Sequence, residues 1–219
     1  MTDTTPWPIH ESETEYETGW YDGGYDLVEQ PDGSQKRYYW ASLPPAVVVV
    51  AILDDDVVFV EQYRPTIRET HLELPAGIVE PDDEPDRERP NAGRPDGDAY
   101  DGERHDDGAL DGANGGRPIT ASPAAYRAGA ARELEEETGF RPTQTIHLQT
   151  YTVATGVLSH ERGIVVADGL EPGERERDSN EFIEVVRVPV DEALDRARRA
   201  PANDSSISAL LLAREDGFL

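Results

Sequence analysis

Hydrophobic and polar positions divide the chain into blocks of different rhythm. After a polar opening dozen residues expected to fray, short aromatic runs from Tyr16 to Tyr21, Tyr25 to Glu29 and Lys36 to Trp40 are separated by Gly23-Gly24 and Pro31-Asp32-Gly33. Runs of that kind between turn residues predict hairpin strands. Pro44-Pro45 punctuates the end of the block. Ala46 to Leu53 is then an unbroken aliphatic run, as expected of a strand covered on both faces. Asp54-Asp55-Asp56 turns the chain, Val57 to Tyr63 returns, and Leu72-Glu73-Leu74 leads as a short strand into Pro75-Ala76-Gly77, where glycine permits a tight turn.

The pattern breaks at about Asp82. As far as Thr120 the composition turns to Asp, Gly, Arg and Pro with almost no aliphatic residues, so the stretch cannot offset its own ordering entropy and is expected to be a disordered or mobile insertion, about 82–121. Structure resumes at Ser122-Pro123, a helix cap followed by proline at the first helical position, and this helix should end at Gly139. Strands are expected at about Ile146 to Val153, Gly163 to Ala167 and Phe182 to Val188, with a charged loop from Glu171 to Asn180. Two helices follow, one from Asp191 to Arg199 and one from Asn203 or Asp204 to Gly217, the second with Ile207, Leu210 and Leu211 on an apolar stripe. The order of elements predicts a mixed α/β sandwich, with an N-terminal β-sheet region at 1–43 and a larger domain at 44–219.

Composition narrows the setting. With 219 residues, a formal charge of −26 and a pI near 4.3, the chain is long enough to bury a real core, and its acid excess argues against nucleic acid or an anionic membrane surface as partner. Lys36 is the only lysine, and the dominance of acids resembles the proteins of salt-in halophiles. There is no cysteine for a disulfide or a thiolate site. The start carries no apolar signal region and the longest apolar run is far too short to span a bilayer, so a cytoplasmic location is expected.

The chemistry concentrates in Arg132-Glu-Leu-Glu-Glu-Glu-Thr-Gly-Phe140. On a helix Glu133, Glu136 and Glu137 stand at i, i+3 and i+4, so three carboxylates share one face and repel unless a cation lies among them; a hard divalent ion suits such oxygens. A solvated acidic surface would give the same run of glutamates. Arg132 before it, Leu134 on the opposite face and Gly139 at its end add further positions, and together they fill the pattern R-E-U-x-E-E-x-G-U with U apolar. This resembles the second half of the Nudix box of the Nudix hydrolases. Glu73-Leu-Pro-Ala-Gly77-Ile-Val-Glu80-Pro81 resembles the opening of that box in the ADP-ribose pyrophosphatase branch, as does Gln62-Tyr63-Arg64. Gly77 precedes Arg132 by 55 positions where the family pattern has 14, so an insertion of 41 residues splits the box.

The resemblance implies a Nudix-type α/β/α sandwich with a small N-terminal antiparallel sheet, a homodimer, and Mg²⁺ as cofactor with Mn²⁺ as its alternative. It implies that Glu133 and Glu137 are metal ligands, that Glu136 is a further or bridging ligand, that the Ala76 carbonyl contributes, and that Arg132 orients the glutamates. Asp83 falls where the remaining box glutamate belongs. Glu181, with Glu184 behind it, is the candidate general base, Arg64 and Glu73 are candidate contacts to substrate phosphates and ribose, and Trp20 is the candidate platform for adenine. The reaction implied is hydrolysis of a nucleoside diphosphate linked to another moiety, foremost ADP-ribose to AMP and ribose 5-phosphate. The alternatives are a Nudix hydrolase of another nucleotide, such as a dinucleoside polyphosphate or a damaged nucleotide, and a Nudix sensor that binds nucleotide without cleaving it. The intact glutamates count against the sensor.

Overall fold

The computed structural model describes residues 6–85, 120–173 and 182–219, and these fall into two compact units. In the first unit, β1 (Ile9–Glu17), β2 (Asp22–Glu29) and β3 (Gln35–Ser42) form an antiparallel meander, and the two-residue strand Leu158–Ser159 runs parallel to β3 at its edge. Two expectations are corrected here. Residues from Ile9 are paired into β1 rather than frayed, and Gly23-Gly24 lies inside β2 rather than forming a turn. The reason is close approach: a Cβ on Gly24 would run into the backbone carbonyl of Glu13, and one on Gly23 would press on the Tyr16 ring. The turn falls instead at Thr18 to Trp20, within what was expected to be the first aromatic strand. There the Thr18 hydroxyl accepts the N–H groups of Trp20 and Tyr21 at 3.2 and 3.0 Å.

The second unit is built on a seven-stranded sheet. Its members besides the short edge pieces are β4 (Ala46–Leu53), β5 (Asp56–Arg64), β8 (Phe140–Thr152), β10 (Glu161–Pro172) and β11 (Ile183–Pro189), in the order β11-β5-β4-β10-β8. Here Leu158–Ser159 of the first unit counts as β9. Two short strands, β6 (Glu69–Glu73) and β7 (Ala76–Ile78), pair with β5 and β4. β4 and β10 run parallel at the centre.

Strand alternation divides β4 between two cores. Val47, Val49 and Ala51 pack with Ala125, Tyr126, Ala130 and Leu134 of α1 (Pro123–Thr138). Val48 and Val50 pack with Ala193 and Ala197 of α2 (Val190–Ala197) and with Ala209, Leu210 and Ala213 of α3 (Asp204–Glu215). The sheet therefore lies between one helix and a helix pair, the expected α/β/α arrangement. β8 begins at Phe140, six residues before its expected start. That leading stretch is polar and contains Pro142, which would not suit a central strand, but β8 is at the end of the sheet order.

Candidate active site

α1 carries the glutamate run, and its ends are as the sequence predicts. The Ser122 hydroxyl caps the N-terminus by accepting the Ala125 N–H at 3.1 Å, and Gly139 closes the other end with a left-handed φ of 77°. Tyr126, Ala130 and Leu134, four residues apart, bury one stripe of the helix, and Arg132, Glu133 and Glu136 are left only partly covered.

Arg132 is the hub. Its guanidinium donates to Glu133 at 2.9 Å, to Glu136 at 3.0 Å, to the Ile78 carbonyl at 2.7 Å and to the two Asp83 carboxylate oxygens at 3.4 and 3.2 Å. Glu80 stands 3.8 Å away. Burial disfavours the charged guanidinium, but Glu133, Asp83 and Glu80 outweigh that effect and raise its pKa above the ordinary arginine value. Ile78 precedes the expected insertion at about 82–121, and Asp83 at its start is ordered in the 3-10 turn Pro81–Asp83 rather than disordered, because its carboxylate is held by Arg132 and the Glu80 N–H; Glu133 and Glu136 follow the insertion, so this one side chain joins the two halves of the motif. Asp83, reached by counting from Gly77, is buried, and its carboxylate also accepts the Glu80 N–H at 2.8 Å.

Gly77 is required by space. A Cβ there would occupy the position of the Glu133 carboxyl group, so only glycine lets that carboxylate lie against β7. Next to it the Ala76 N–H donates to Glu137 at 3.2 Å, and Glu137 is buried. Around Arg132, four carboxylates from Glu80, Asp83, Glu133 and Glu136 meet one guanidinium, and the Glu137 carboxylate lies on the same helix, held by the Ala76 N–H. As the side chains stand, no three acidic or histidine groups among the described residues converge on a single point. The donors are nevertheless all hard oxygens on neighbouring turns, and their excess negative charge fits a small divalent cation.

A second polar group lies on the same face of the sheet. Val58 packs on the α1 side, and alternation along β5 puts Gln62 and Arg64 on that side too. Arg64 donates through Nε to Glu73 at 3.1 Å and makes a further short bond to the same carboxylate through a terminal nitrogen. Arg64 is part exposed and Glu73 is buried, so the carboxylate fixes the guanidinium and leaves it reachable. His71 was not singled out by its sequence context. It is buried beside Glu73, with Glu69 at 3.4 Å from Nε2.

The remaining candidates separate. Trp20 is 73% exposed in the turn between β1 and β2, so it is not a core residue of its sheet. Glu184 shares its strand face with Val186, which packs on the α2 and α3 side, so it does not share the face that carries α1. Glu181 lies outside the described residues, as does nearly all of the insertion.

Comparison with known proteins bears on the domain and the fold. Residues 122–210 match the NUDIX domain, a match that starts where the interruption ends. The chain is 27% identical over 183 residues to a methanol dehydrogenase activator of Bacillus methanolicus, covering 82% of this chain and 77% of that one. It is 26% identical over 170 residues to an ADP-ribose pyrophosphatase of Bacillus subtilis (strain 168), covering 76% and 70%. The fold matches a crystal structure of an ADP compounds hydrolase with a TM-score of 0.69 at 22% identity over the whole of both chains. The domain match, the relatives and the fold together support a Nudix pyrophosphohydrolase.

Proposed function

We propose that the protein hydrolyses ADP-ribose to AMP and ribose 5-phosphate with Mg²⁺ as cofactor. The observation that carries this reading is the Arg132 hub, which ties Glu133 and Glu136 to Ile78 and Asp83 despite the interruption, with Gly77 leaving room for the Glu133 carboxylate and the Ala76 N–H on Glu137. The Bacillus subtilis relative and the Gln62-Tyr63-Arg64 and Glu73-Leu-Pro-Ala-Gly77 runs support the substrate class.

Glu133 and Glu137, with the Ala76 carbonyl, would hold the ion, and Glu136 would serve as a further ligand. When bound, the ion neutralises phosphate charge and makes water easier to deprotonate. Hydrolysis forms a bond from a water oxygen to phosphorus and breaks the bridging P–O bond, and the proton taken from water goes to Glu181. Arg132 keeps the glutamates in place. Arg64, held by Glu73, meets the charge that gathers on the diphosphate, and Trp20 stacks on adenine. The same reading makes the protein a cytoplasmic homodimer adapted to high salt; no helix among the described residues is long and apolar enough to cross a membrane.

The test is a nucleotide screen with purified protein in molar KCl and Mg²⁺, reading phosphate released after phosphatase treatment. ADP-ribose should be cleaved fastest. Cleavage of dinucleoside polyphosphates or damaged nucleotides in its place would overturn the substrate, and binding without cleavage would make the protein a sensor.

A further inference from the structure

A contact outside the arginine hub also joins the two halves of the site. Glu84 ends the short 3-10 turn Pro81–Asp83, and its carboxylate accepts the Ser122 N–H at 2.9 Å and the Ser122 hydroxyl at 2.7 Å. Ser122 in turn caps α1 through Ala125. The residue before Glu84 is Asp83, the buried partner of Arg132. Consecutive residues of one turn thus grip α1 at two places, at its cap and ten residues further on, about 15 Å along the axis. Between Glu84 and Ser122 the chain has 37 residues. These 37 residues are the covalent link between Glu84 and Ser122. The clasp holds the two ends of that link through two hydrogen bonds to a charged acceptor, the stronger kind.

We propose that Glu84 is a positioning residue whose clasp on Ser122 closes the split site, so that covalent continuity between them is not needed to hold α1 against β7. The clasp and the chain are parallel restraints. Losing one is tolerated better than losing both. The activity arm of the test rests on the proposed reaction; the melting arm does not.

A specific protease site inserted after Gly115 allows the chain to be cut between the clasped residues. The cut wild type should melt within about 3 °C of the uncut protein and keep activity within about threefold. Uncut Glu84→Ala should lose about five- to twentyfold in kcat with KM nearly unchanged, since α1 is displaced rather than the substrate contacts. Glu84→Gln should recover most of that loss: its amide oxygen still accepts the Ser122 N–H and its NH₂ can donate to the hydroxyl. Glu84→Ala should lower the melting temperature more in the cut chain than in the uncut chain, the non-additivity expected of coupled restraints. Equal shifts in cut and uncut protein, or kcat of Glu84→Ala within about twofold of wild type, would overturn the proposal. If Glu84→Ala does not fold, Glu84→Gln and the cut wild type decide, and a large melting loss on cutting the wild type overturns it. Absence of ADP-ribose hydrolysis by the wild type would refute the reaction and leave the melting comparison valid.

Discussion

Replacing Arg132 by alanine removes the group on which both halves of the site close. Five hydrogen bonds are lost, to Glu133, Glu136, the Ile78 carbonyl and both oxygens of Asp83. The Asp83 side chain is only 8% exposed, so its carboxylate would be left buried among other acids. Breaking a buried ion pair from one side costs about 3–5 kcal/mol, and because the arginine itself is 24% exposed the lower end applies, about 3 kcal/mol. At about 2–4 °C per kcal/mol for a chain of this size, the melting temperature should fall by about 6–12 °C. Arg132→Lys keeps the charge, but one ammonium with three donors cannot span acceptors on opposite sides of the fork, so it should lose about half as much stability and at least about tenfold in kcat. Differential scanning fluorimetry and ADP-ribose kinetics in the same KCl buffer measure both. An alanine variant within about 2 °C and threefold of wild type would refute the argument that this arginine holds the site together.

Gly77→Ala separates site from stability. Gly77 has no positive φ, so the backbone accepts alanine, but the new methyl displaces the Glu133 carboxyl group, and kcat should fall about a hundredfold with little change in melting temperature. Trp20→Ala should raise KM with kcat unchanged, by the about 1–3 kcal/mol that base stacking contributes, whereas Arg64→Ala should lower kcat as well, because charge develops near it; wild-type kinetics in the first would exclude Trp20 from the substrate. The formal charge of −26 repels itself in dilute buffer, so the melting temperature should rise toward molar KCl, where the Debye length shrinks to about 3 Å, and a flat or falling curve would remove the salt adaptation.

The helix was legible because its signals are local. The Ser122 cap, Pro123, the glutamate spacing and Gly139 each specify a backbone or side-chain geometry within a few residues, and the helix spans Pro123–Thr138. The continuous aliphatic run at Ala46 likewise became the central strand with a core on each face. Gly23-Gly24 misled because a glycine pair signals a turn and a close strand approach equally, and only the pairing with β1 distinguishes them. β1 itself is exposed along its whole length, so burial left no alternation in its sequence to mark it. The site was legible in its residue types but not in its partners. Asp83 could be counted from Gly77, whereas nothing in the sequence ties Glu84 to Ser122 or places His71 beside Glu73.

The central claim is that the α1 carboxylates drive phosphate chemistry on ADP-ribose. Glu137→Gln removes a charge from the buried carboxylate beside Ala76 without changing its shape. Products from ADP-ribose should be quantified for wild type and variant, in molar KCl with Mg²⁺ and again with a chelator. The account predicts AMP and ribose 5-phosphate in equal amounts from the wild type with Mg²⁺ alone, and about a hundred- to thousandfold less from a folded Glu137→Gln. Turnover by the variant within about tenfold of wild type, or wild-type turnover that the chelator leaves untouched, would contradict it.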